Sequence, residues 1–263
     1  MSTLNRKTLI TGAAGGLGKS LALAFAPTAS PLVLSARRLD QLTDLAADLG
    51  AETIAADMEN RDQVTELAHS SADLDIAILN AALPASGDIL EYDVAQIDRA
   101  IEVNLRAQIV LARLLAESMA SRGSGHIVFI SSLAGKAASA GTTLYSATKF
   151  GIRGASLAMR QDLAPRGVGV SVICPGFVSD AGMFADTGAK LPAGFGTVTP
   201  EKVAAATLRA VEKNLAEVDV APIALRLGAA MAQISPALYA RATSKAGGRK
   251  LSDHMAEQQR HKR

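Results

Sequence analysis

The chain has 263 residues, 49% of them hydrophobic and 20% charged, with a formal net charge of +2. A length of this order accommodates one sizeable α/β core, and the apolar content excludes a disordered chain. The small net charge, aromatics at 3% and the lack of Trp exclude a nucleic-acid surface built on charge or base stacking.

In chain order, short runs rich in β-branched residues alternate with longer helix-like segments. The start, Met1 to Lys7, is polar and carries no apolar signal region, so a cytoplasmic protein is expected. No apolar run approaches the ~18 residues needed to span a bilayer. Strands are predicted at Thr8–Thr11, Leu32–Ser35, Thr53–Ala56, Ile76–Asn80, His126–Ser131, Gly169–Cys174 and, more weakly patterned, Val218–Val220. Their near-continuous apolarity suits strands covered by helices on both faces. Helices are predicted at Leu17–Ala26, Leu39–Leu49, Asp62–Ala72, Asp93–Ser121, Thr143–Ala164, Glu201–Asn214 and Ala221–Ile234. Asp93 suits an N-cap, and Pro200 suits the first position of its helix. This rhythm predicts a Rossmann-like, doubly wound parallel sheet in a single domain. Residues 1–220 would form the dinucleotide-binding and catalytic body, and 221–263 a helical extension ending in a frayed basic tail. The stretches Ala134–Thr143 and Ser179–Thr199 read as loops at strand ends. Cys174, the one cysteine, lies in an apolar run and reads as a buried thiol. No metal site is expected.

Thr11-Gly12-Ala13-Ala14-Gly15-Gly16-Leu17-Gly18 follows the first strand and opens the first helix. Glycines there permit a tight turn and a close backbone approach to a pyrophosphate. The helix N-terminus adds unpaired N–H groups and partial positive charge. The second strand ends Ala36-Arg37-Arg38, where folds preferring NAD usually carry an acidic residue for the ribose 2′-hydroxyl. Guanidinium groups suit a 2′-phosphate instead, so NADP(H) is the expected cofactor.

Tyr145 and Lys149 are four apart on a predicted helix and share a face. A free phenol, with a pKa of about 10, is a poor base near neutrality, and a nearby ammonium is expected to lower that value. The fifth strand ends in Ser131-Ser132, and a hydroxyl at that position could polarise a carbonyl oxygen. Either serine could equally be a strand-end cap.

Taken together, these residues resemble the short-chain dehydrogenase/reductase family over about residues 6–220. Thr11, Gly12, Gly16 and Gly18 match its Thr-Gly-x-x-x-Gly-x-Gly motif, and Tyr145 and Lys149 its Tyr-x-x-x-Lys motif. The family serine stands thirteen positions before the tyrosine, which selects Ser132 over Ser131. Asn104 matches the family asparagine, Pro175-Gly176 the segment lining the nicotinamide, and Asp57-Met58 the adenine-contacting pair. The resemblance implies hydride transfer between NADP(H) and a carbonyl or alcohol. Tyr145 would be the general acid/base and Ser132 would orient the carbonyl. Lys149 would hold the nicotinamide ribose and depress the tyrosine pKa, and Asn104 would tie a water to Lys149. Leu17, Arg37, Arg38, Asn80, Ala81 and Val178 would complete the cofactor contacts. The resemblance also implies a homodimer or homotetramer assembled through the fourth and fifth helices.

Three positions depart from the family pattern. Leu79-Asn80-Ala81-Ala82 keeps only the middle pair of Asn-Asn-Ala-Gly. Asp180 stands where a threonine is frequent, and the Gly loop lacks the basic residue of many NADP-preferring members. The loop residues Met183, Phe184, Lys190, Leu191 and Phe195 suggest an apolar or lightly polar carbonyl partner, with a fatty-acyl carrier substrate as an open alternative. A silent NADP(H)-binding sensor or scaffold of the same fold is the competing function. A membrane-surface protein held by Ala221–Ile234 and the basic tail is a further alternative.

Overall fold

The computed structural model describes residues 5–189, 191, 196–245 and 248–259. Seven strands form one parallel sheet in the order β3-β2-β1-β4-β5-β6-β7. They are β1 (Arg6–Thr11), β2 (Ala29–Ala36), β3 (Glu52–Ala55), β4 (Ile76–Leu79), β5 (Gly125–Ile130), β6 (Val168–Pro175) and β7 (Glu217–Val220). Strand order reverses between β1 and β4, and a sheet that winds both ways from there opens a crevice beyond the strands' C-terminal ends. The expected doubly wound parallel sheet is what the chain forms.

The helices are α1 (Gly16–Phe25), α2 (Thr43–Leu49), α3 (Arg61–Ser70), α4 (Val94–Ile101), α5 (Ala107–Arg122), α6 (Thr143–Leu163) and α7 (Pro200–Glu212). After β7 come α8 (Ile223–Ile234), α9 (Pro236–Lys245) and α10 (Gly248–Gln259). Two buried clusters cover the sheet. Leu111, Leu115 and Ile152 pack on one face, and Leu21, Phe25 and Val203 on the other. Strands with apolar neighbours on both sides need apolar residues at successive positions, which is why β6 is buried along its whole length. Cys174 lies within it, fully buried, and burial pushes its thiol up to about 12.

Two predicted helices are interrupted. Leu39–Leu49 begins with a tighter turn, Leu39–Leu42, before α2. The long Asp93–Ser121 helix is divided into α4 and α5 by one widened turn, Glu102–Arg106. Its start is as expected: the Asp93 carboxylate accepts from the Gln96 backbone N–H at 2.8 Å, and the Gln96 side chain answers at the Asp93 N–H. Widened turns inside helices concentrate at functional sites, and this one carries Asn104.

The extension beyond β7 is the larger correction. Helices α9 and α10 follow α8, and α10 folds back onto the body. Gln259, read as part of a frayed tail, is buried, and its amide donates to the Met183 carbonyl. Arg260 to Arg263 lie outside the described residues. Among the described residues, no helix is long and apolar enough to cross a membrane.

Candidate functional site

One cavity of about 710 Å³ runs from the β1–α1 turn to the C-terminal helices. Its first end is built from backbone. Gly12 has φ +64°, and a Cβ there would stand 2.8 Å from the Ala81 Cα. A Cβ on Gly18 would press into the Gly12 carbonyl. Side chains would thus fill the turn, and without them the α1 N-terminus opens directly into the cavity. A dinucleotide pyrophosphate fits such a cradle.

The neighbouring turns are locked by the residues the motifs name. Thr11 Oγ1 accepts from the backbone N–H groups of Asn80 and Ala81 at 3.0 and 3.2 Å. The Asn80 amide donates to the Thr11 and Gly12 carbonyls. The middle pair of the altered Asn-Asn-Ala-Gly motif therefore joins the ends of β1 and β4, and Ala82 still lines the cavity. Leu17, Asp57, Met58, Pro175, Gly176 and Val178 also face it. At the end of β2, Arg37 is exposed and lines the cavity, whereas Arg38 is exposed but outside the lining. Asp180 is exposed, outside the lining, and accepts from the Ser179 hydroxyl at 2.6 Å.

In the middle of the cavity stand Ser132, Tyr145 and Lys149. The two candidate serines have different surroundings. Ser131 is buried, and its hydroxyl donates to the Lys149 carbonyl at 2.9 Å, tying β5 to α6. Ser132 caps the turn Leu133–Gly135 by accepting from the Ala134 N–H at 3.1 Å, its own hydroxyl donates to the Pro175 carbonyl at 3.4 Å, and it stands near enough to the Tyr145 phenol to influence its pKa. The cap and the polarising hydroxyl are one group.

Tyr145 is held in the first turn of α6 by its backbone N–H, which donates to the Ala85 carbonyl at 3.1 Å. Burial holds the phenol above its usual pKa, while the Ser132 hydroxyl pulls it down. The expectation that Lys149 lowers it is not met. Lys149 Nζ donates to the Ile130 carbonyl at 2.9 Å and lies 5.7 Å from the Tyr145 ring centre, aimed at the strand end rather than the phenol oxygen. Burial brings the Lys149 ammonium down to about 8.

The Asn104 side chain is engaged with the chain after β4. The carboxamide accepts from the Leu83 N–H at 2.6 Å and donates to the Leu83 carbonyl at 2.9 Å. It clamps the chain after β4, and Asn104 is not among the cavity-lining residues.

Two groups were not read from the sequence. Lys136 is buried at the end of the Ser132 turn and pairs with Asp219 and Glu217 of β7, and Arg153 of α6 shares Glu217. Burial, the largest single influence, lowers the Lys136 pKa, but the two carboxylates together hold it above its usual value. The second group is Leu251, Ser252, Met255 and Gln259 of α10, which line the far end of the cavity. Their spacing of one and two helical turns was the available signal, obscured by the polar composition of the segment. Lys190 and Phe195, expected in the loop above the site, lie outside the described residues. Met183 and Phe184 line the cavity, with the Phe184 ring 5.0 Å from that of Phe177.

The chain matches the short chain dehydrogenase family over residues 6–192. It is 39% identical over 251 residues to the ketoacyl reductase HetN of Nostoc sp. strain PCC 7120, covering 90% of this chain and 88% of that protein. Among solved structures, a short-chain dehydrogenase from Sphingobium yanoikuyae in complex with NADPH superposes with a TM-score of 0.77 at 27% identity, covering 89% of this chain and 95% of that one. A bulky-bulky ketone specific alcohol dehydrogenase from Comamonas testosteroni superposes with a TM-score of 0.75 at 25% identity, over 89% and 93%.

Proposed function

The chain belongs to the short-chain dehydrogenase family, and from that premise we propose that it is an NADP(H)-dependent oxidoreductase interconverting a carbonyl and an alcohol. The observation that carries this reading is the placement of Ser132, Tyr145 and Lys149 in one cavity with the glycine cradle at its end. Bound in that cradle, a nicotinamide cofactor would supply or accept the hydride.

The chain's own residues handle the oxygen and its proton. Ser132 and Tyr145 line the same cavity, and a carbonyl oxygen bound between them would face two O–H donors. Donors fixed in advance of the reaction stabilise developing alkoxide charge without reorganisation. The Tyr145 phenol, which burial holds above its usual pKa, would donate its proton to that oxygen, which suits carbonyl reduction. Lys149, anchored at Ile130, would present its remaining N–H donors to the ribose hydroxyls. Asn104 would act by holding the Leu83 turn, which shapes the cavity wall. At the cradle, Arg37 would distinguish the 2′-phosphate. Ile101 and Phe150 are partly exposed on α4 and α6, where assembly into a homodimer or homotetramer would cover them.

The test is a screen of NADPH and NADH against ketones, aldehydes, hydroxysteroids and 3-oxoacyl thioesters. Turnover of at least one carbonyl, faster with NADPH, is expected. Tight NADPH binding with no turnover across the panel would favour the sensor reading instead.

A further inference from the structure

We propose that α10 is a cap on the substrate end of the cavity, and that Leu251 and Met255 set the length of the apolar substituent carried by the carbonyl substrate. This rests on the oxidoreductase reading and adds a substrate class to it.

The helix has two unlike faces. Leu251, Ser252, Met255 and Gln259 line the cavity, with Ala256 buried beside them. Asp253, Glu257 and Gln258 are exposed on the other side. Three polar anchors fix the inner face. Ser252 Oγ donates to the Gly141 carbonyl at 2.7 Å, and a Cβ on Gly141 would collide with that hydroxyl. The His254 ring lies 3.2 Å from the Thr187 carbonyl, and Gln259 grips the Met183 carbonyl. Gly141 leads into α6 four residues before Tyr145, while Met183 and Thr187 belong to the loop after β6. The cap is therefore fastened to both walls of the site.

Between those anchors the lining is mainly apolar, with Tyr239 and Thr243 of α9 adding hydroxyls. Met255 and Leu251 share this end with Phe177, Phe184, Leu225 and Ala229. Among the described residues, the cationic lining groups are elsewhere: Arg37 at the cradle, Arg99 paired with Glu59, and Lys149 beside Tyr145. The acidic Asp186 lies in the loop facing the cap. Among the described residues an anionic substituent would meet no positive partner there, whereas an alkyl chain would be desolvated along its length. Each methylene buried this way is worth up to about fourfold in affinity. Methionine, unbranched and adaptable, suits the point where such a chain ends.

The experiment uses the full chain, with Leu251→Trp, Met255→Trp, Met255→Ala and, on the exposed face, Glu257→Trp. With NADPH, kcat/KM is measured over the 2-alkanones from butanone to dodecan-2-one. The matching 2-alkanols are titrated by calorimetry against protein saturated with NADP, which reads binding without turnover. In the wild type both quantities should climb with chain length and then level off. Either Trp substitution should move the levelling point to shorter chains, lowering the longest-to-shortest ratio by about tenfold or more. Met255→Ala should move it to longer ones, and Glu257→Trp should leave the profile in place. Unchanged profiles in the inward-facing variants, or a wild-type profile flat in both assays, would overturn the cap. Turnover with unmoved profiles refutes the cap and keeps the oxidoreductase reading. Alkanol profiles that shift without any carbonyl turnover support the cap and refute that reading.

Discussion

The two ends of the cavity are built on different principles. The cradle end is mainly backbone: glycines at positions where a Cβ would collide, and turns joined by Thr11 and Asn80. The substrate end is mainly side chain, assembled from the loop after β6 and from α8, α9 and α10. Backbone recognition needs only short local motifs and tolerates little variation. A wall of packed side chains can be rebuilt by substitution without disturbing the cradle. The chain thus joins a backbone-built end to a side-chain-built one, with Ser132 and Tyr145 at the seam.

The sharpest way to break this comparison is at the seam. Tyr145→Phe removes one oxygen and leaves a ring to pack, so fold and NADPH affinity should survive. Turnover should fall by at least about a hundredfold, since general acid/base catalysis typically contributes ~10²–10⁴. Steady-state rates and NADPH titrations on the folded variant check this, and near-normal turnover would place the proton donor elsewhere.

Ser132→Ala should lower kcat by about a hundredfold, the usual effect of losing one donor to a developing oxyanion. Ser131→Ala removes a strut between β5 and Lys149 rather than a group at the reacting oxygen, so its loss should show first in thermal stability. The two kcat values and two melting curves separate these roles. A larger kcat loss in Ser131→Ala would contradict the assignment.

At the cradle end, Arg37→Asp should shift the NADPH/NADH affinity ratio by about tenfold or more, since a charge-assisted hydrogen bond contributes roughly 1.5–3 kcal/mol. Arg38→Asp should do less, because Arg38 does not line the cavity. Paired fluorescence titrations provide the test, and equal affinity of the wild type for both cofactors would remove the basis for the preference.

Most of the cradle was legible in the residues themselves. Thr11, Gly12, Gly16 and Gly18 lie within eight positions, so their geometry is local and their spacing carries it. The serine pair was legible at the end of the fifth strand, and the choice of Ser132 came only from the family resemblance, through its distance from Tyr145. Both serines line the cavity, and the difference between them is tertiary: the Ser131 hydroxyl is tied to the Lys149 carbonyl, whereas that of Ser132 turns to the Pro175 carbonyl. Lys149 was placed on the correct helical face, but its hydrogen bond to Ile130 depends on where β5 ends against α6. The phenol pKa went the other way from expectation because desolvation is a property of everything packed around Tyr145.

The sequence by itself pointed to the doubly wound parallel sheet, to the glycine turn of the cradle and to the serine, tyrosine and lysine proposed to react. Those follow from periodicity and short-range spacing, which survive in one dimension. Tertiary structure alone decided the rest. Asn104 clamps Leu83 because one widened turn presents it there, and Lys136 finds its carboxylates on a strand more than eighty residues away. The polar segment ending at Gln259 becomes a wall of the cavity because its few inward residues find anchors at Gly141, Met183 and Thr187. Each depends on contacts between segments far apart in the chain, and no local pattern records which distant surface a side chain will meet.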